Sequence, residues 1–93
     1  MVVGVIGWEL HIYEARSLKE KRAVVKGLKE RLRARLNVSV AETDHHDLWQ
    51  RAEITASVVA TDRRRAESVM DRADRLVEAE SGGRIIDSYR IFY

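Results

Sequence analysis

A chain of 93 residues with no cysteine and no proline has room for one domain and excludes disulfides and thiolate metal sites. Its 45% hydrophobic and 34% charged residues suit a folded soluble domain rather than a disordered one. The net charge of +2 names no partner, and no apolar run is long enough to span a bilayer or is built like a signal peptide, so a cytoplasmic protein without a membrane role is expected.

Met1–Tyr13 alternates as a strand. Val2, Gly4, Ile6, Trp8, Leu10 and Ile12 share one face, nearly all apolar; Val3, Val5, Gly7, Glu9, His11 and Tyr13 share the mixed other face. Ser17-Leu18-Lys19-Glu20 is a capping box opening a helix, with Val25, Leu28, Leu32 and Leu36 at helical spacing. Lys21 falls inside that apolar arc and is expected to snorkel, its ammonium in water. Ala23, Gly27 and Ala34 form a small-residue strip that predicts close approach of a neighbouring helix. Asn37 is the expected helix stop, and Val38–Thr43 the second strand. A polar turn over Thr43–Asp47 leads to the third strand, with Ile54, Ala56, Val58 and Ala60 on one face. Asp62 or Thr61 caps a second helix with the stripe Ala66, Val69, Met70, Ala73, Leu76 and Val77, ended by Ser81-Gly82-Gly83. Arg84–Tyr93 is the last strand, for which we expect Ile85, Tyr89 and Ile91 inward and Phe92 outward.

The order β-α-β-β-α-β is that of an α+β, ferredoxin-like sandwich: a four-stranded antiparallel sheet with two helices on one face. One domain over residues 1–93 is expected, without linker, repeat or low-complexity segment.

Four features invite a functional reading. Leu18–Leu36 carries eight Lys/Arg and two Glu, net +6. Within it Lys19, Arg22, Lys26, Lys29 and Arg33 recur every three or four residues as one stripe, which can track a phosphate backbone or simply face water. The topology predicts that Arg31, Arg33 and Arg35 lie near Arg63, Arg64 and Arg65. There a bound phosphate, or pairing with Asp62, Glu67 and Asp71, would relieve the clash with the helix dipole. Asp44-His45-His46-Asp47 offers metal-ligand types, but neighbours in a tight turn diverge and a metal needs three or four converging ligands. Finally, Val3, Val5, Val59, Ile86 and Phe92 predict an apolar patch on the open sheet face, fit for self-association as a dimer. That face lacks the aromatics that RNA-recognition motifs use on the third strand.

No cysteine nucleophile, glycine-rich phosphate loop or paired-carboxylate cleft is present, nor the anion-cradling loop of acylphosphatases, so no enzyme, cofactor or metal is expected.

Three stretches, Ser17-Leu18-Lys19-Glu20-Lys21-Arg22, Asn37-Val38-Ser39-Val40-Ala41-Glu42 and Asp47-Leu48-Trp49-Gln50-Arg51-Ala52, with their spacing, resemble the YlxP-like family of small bacterial proteins, domain of unknown function 503. The resemblance covers essentially the whole chain. It implies a ferredoxin-like fold and no established activity. The placing of such genes among those for translation initiation and ribosome maturation implies, by association only, an RNA or ribosome connection. The family often has an aromatic where this chain has Leu36, and His45 and His46 lie outside its signature. Together these readings favour a non-enzymatic binder of structured RNA or the ribosome, with no specificity for DNA. The alternative is a homodimeric protein-interaction or small-ligand module.

Overall fold

Strand β1 (Val2–His11) sits inside the sheet because one of its faces is almost wholly apolar: Ile6, Trp8 and Leu10 are buried, as is Ile12 just beyond. A computed structural model describes residues 1–93; it continues with α1 (Leu18–Arg35), β2 (Ser39–Asp44), β3 (Arg51–Ala60), α2 (Arg63–Glu80) and β4 (Arg84–Phe92). The strands pair antiparallel in the order β2-β3-β1-β4. The apolar stripes of α1 (Val25, Leu28, Leu32) and α2 (Ala66, Met70, Ala73, Val77) close one face against Ile54, Ala56 and Val58 of β3. The predicted architecture is the observed one. Each helix is capped as its sequence dictates. Ser17 Oγ accepts from the Glu20 amide at 3.1 Å, and Asp62 Oδ1 from the Arg65 amide at 2.8 Å. That amide bond, aided by the Arg65 guanidinium against burial, holds the Asp62 carboxyl below its usual range.

Trp8 is fully buried, yet its indole Nε1 donates to Asp74 Oδ1 at 2.7 Å. Arg90 reaches the same carboxylate at 3.0 Å and Asp71 at 2.9 Å. Burial opposes the Arg90 charge, but its bonds to Asp71 and Asp74 outweigh burial and raise its pKa further.

Strand β4 departs from expectation. Its register against β1 shifts between Glu9 and Leu10, because Ile86 is an extra residue between the partners Ile85 and Asp87. One extra residue reverses every side chain beyond it. Ile85 therefore faces inward as predicted, whereas Tyr89 and Ile91 lie on the open face, opposite Gly7 and Val5. Phe92, predicted outward, turns to the helix side, where Arg63 stands over its ring at 4.2 Å. Gly7 is what admits Tyr89: a Cβ there would come within 2.3 Å of the tyrosine ring.

Two expectations about α1 fail. Ala23 and Ala34 face solvent, and Gly27 meets no helix; a Cβ on it would lie 3.2 Å from the Arg31 guanidinium, which crosses to the Glu80 carbonyl. Lys21 does not snorkel either, because its side chain is wholly buried.

The two sheet edges are treated differently. On β2, Arg33 Nη2 donates to the Val40 carbonyl at 2.8 Å and His46 Nε2 to the Glu42 carbonyl at 3.1 Å. On β4, Tyr93 exchanges both backbone bonds with Val3. By antiparallel alternation the backbone groups of Phe92 and Arg90 then point away from the sheet. Only the Ser88 amide is held locally, by Asp87.

Candidate nucleic-acid interface

The loop His45–Gln50 ties β2 to β3 and lies against the start of α1. Lys21 makes the tie: its ammonium sits 2.5 Å from Glu42 Oε2 and donates to the His45 carbonyl at 2.8 Å. A buried ammonium persists only when paired and hydrogen-bonded, and both conditions hold. Glu42 is on the helix-facing parity of β2, so an apolar-arc lysine and an inward glutamate were both readable; that they meet was not. Gln50 adds a bond from its amide nitrogen to the Ala15 carbonyl at 3.3 Å.

His45 takes a positive φ of 63°, which sends its ring to the open face while its carbonyl stays beneath α1. There Nε2 donates to Glu9 Oε1 at 2.8 Å, and Arg51 takes Glu9 Oε2 at 2.7 Å. Burial works against the Glu9 charge, but the bonds from Arg51 and His45 outweigh it and lower its pKa. The histidines thus separate, His45 to Glu9 and His46 to β2 backbone, and Asp44 Oδ1 caps the His45 amide. Asp44-His45-His46-Asp47 does not converge on one point.

The basic stripe has the predicted form. At 100° per residue Lys19, Arg22, Lys26, Lys29 and Arg33 span an arc of roughly 80°. It flanks the buried stripe on the β2 side, since Arg33 bonds Val40. The opposite flank faces α2, where Arg31 and Arg35 pair with Glu80. Lys19, Arg22, Lys26 and Arg33 are exposed and Lys29 half-buried; none of the five pairs with a carboxylate.

Four further arginines are neutralised, Arg51 by Glu9, Arg63 by Glu67, Arg65 by Asp62 and Arg90 by Asp71 and Asp74, while Arg72, Arg75 and Arg84 are not. The predicted meeting of Arg31, Arg33 and Arg35 with Arg63, Arg64 and Arg65 does not occur. Glu80, which holds Arg31 and Arg35, ends α2, about 25 Å from its first turn at 1.5 Å per residue. Helix α1 lies alongside the later turns of α2, and Arg63 and Arg65 have local carboxylates instead. Only Arg64 is left unpaired there.

On the open face Val3, Val5 and Val59 do cluster, through the pairs Val3–Val59 and Val5–Ile91. Tyr89, Ile91 and Tyr93 complete the patch in place of Phe92. Two rows beyond Val5, Glu9 lies opposite Glu53 on one side and Asp87 on the other. The loop's Leu48 and Trp49, which the sequence reading named only within a family stretch and gave no role, are 46% and 45% exposed.

The family described as a protein of unknown function (DUF503) matches residues 3–90. The uncharacterized protein YlxP of Bacillus subtilis (strain 168) is 35% identical over 78 residues, covering 84% of this chain and 85% of that protein. Among solved structures, the de novo designed protein Ferredog-Diesel aligns with TM-score 0.50 at 13% identity, over 96% of this chain and 83% of its own. A second de novo designed protein, with ferredoxin fold, aligns with TM-score 0.52 at 16% identity, over 100% and 83%. Likeness to designed chains at such identity speaks for the backbone arrangement alone, the ferredoxin-like one. No helix is long and apolar enough to cross a membrane. The match along residues 3–90 and the shared identity over most of both sequences make this chain a member of the DUF503 family.

Proposed function

We propose that this protein binds structured RNA, free or within the ribosome, through the stripe Lys19, Arg22, Lys26, Lys29 and Arg33. The observation that carries the reading is the contrast in pairing. Arg31, Arg51, Arg63 and Arg90 are matched with carboxylates, whereas five cations in line on this flank of α1 have none, Arg33 bonding a backbone carbonyl instead. One cation per helical turn, every ~5 Å, suits a row of phosphates, and each contact releases counterions. Replacing Arg22, Lys26 and Lys29 by Glu leaves the Arg33 bond to β2 intact. We expect the variant to bind RNA more weakly and to flatten the plot of log affinity against log salt by roughly 2, at about 0.7 per lost single-strand contact. Equal binding by parent and variant in a salt titration would move the contacts elsewhere.

The second reading is a homodimer through the open face, supported by the exposed cluster of Val59, Tyr89, Ile91 and Tyr93. A two-fold pair is the commonest way to cover such a patch. Val5→Asp, at its centre, should shift sedimentation equilibrium toward monomer with helix content unchanged. A parent monomeric at high concentration would end this reading.

A further inference from the structure

The loop that Lys21 fastens to α1 carries Trp49 in the open, and this narrows the kind of RNA the stripe can take. Resting on the RNA-binding reading above, we infer that the bound RNA contains an unpaired base, and that this base stacks on Trp49. An exposed tryptophan contributes little to the fold, and this chain has another indole, Trp8, doing the burying. The His45–Gln50 loop is held to the first turn of α1 by Lys21 and to the connection before α1 by Gln50, which puts Trp49 toward the Lys19–Arg22 end of the stripe. The backbone bond from Ile12 to Gln50 extends the β1–β3 register by one pair, so Tyr13, 56% exposed, and Trp49 each adjoin the end of that ladder. His11 packs edge-on to Tyr13 at 6.2 Å. Three rings thus gather at one end of the domain.

Lys19 and Arg22 are the unpaired cations at this end of the stripe, so a strand whose phosphates follow the stripe reaches Trp49 there. Bases buried in a duplex have no face to offer a ring, whereas loops, bulges and single strands do. Stacking needs no base identity, so the site tolerates sequence and selects strandedness.

Titration with a single-stranded oligouridylate and with a blunt RNA duplex of equal length tests this. Trp49 is the exposed reporter, because Trp8 is sealed in the core. Its emission should be quenched by the single strand and not by the duplex. Trp49→Ala should weaken single-strand binding about 5- to 150-fold, the usual worth of one stacked base, and change duplex binding less than twofold. Trp49→Phe should restore most of the loss, and Tyr13→Ala, a second variant remote from the loop tie, should weaken binding in the same sense. If the parent binds both RNAs alike and Trp49→Ala alters neither, the stacking inference falls while RNA binding stands. If the parent binds neither at low salt, both fall together.

Discussion

Lys21→Ala should cost about 3–5 kcal/mol of unfolding free energy, the usual result of stripping one partner from a buried ion pair. The alanine leaves Glu42 with no counter-charge, the His45 carbonyl with the Leu48 amide as its one donor, and a void below α1. Amide exchange in His45–Gln50 should accelerate alongside, because the lysine is what anchors that loop. The pair as a whole is a different matter. A double variant, Lys21→Met with Glu42→Gln, removes both charges and nearly keeps the volume, and should recover most of the loss. Urea denaturation of the single and double variants measures both. A single-variant loss under about 1 kcal/mol would mean that water already reaches the ammonium.

Trp8→Ala is the other large expected effect, about 3–5 kcal/mol for an aromatic side chain lost from a packed core. For a domain of this size each kcal/mol moves the thermal midpoint by roughly 4–8 °C. Trp8→Phe isolates the polar part. It keeps most of the volume and deletes the N–H that Asp74 accepts, at a cost of about 1–3 kcal/mol. Arg90 still holds Asp74, so the carboxylate is not orphaned. Calorimetry that finds the two variants equally damaged would locate the value of Trp8 in its hydrogen bond rather than its bulk.

Element order and both caps were legible because they rest on local rules: alternation in β1, the 3.6-residue stripes of α1 and α2, serine and aspartate at the helix starts. Strand β4 was misread because one bulged residue, Ile86, reverses parity, and a bulge is decided by the partner strand. Lys21 was misread because snorkelling and burial share one sequence position; the choice falls to Glu42, twenty-one residues on. The meeting of arginines failed for a similar reason, since topology gives which helix ends share a side of the domain but not how far the helices slide along each other. The basic stripe was readable, being a property of one helix. Trp49 was named only within a family stretch, since how far a loop side chain is exposed depends on what the loop packs against.

The unequal edges of the sheet bear on how copies of this domain can come together. A ribbon that lengthens without limit needs each member to offer two complementary rims, one to give and one to receive. Here Arg33 and His46 have already claimed the Val40 and Glu42 carbonyls of β2, so that rim has its outward acceptors taken. Pairing along β4 uses the same rim on both members, which is a closed, isologous contact, and growth stops at two. The helix that carries the basic stripe thus also blunts one edge of the sheet, through Arg33.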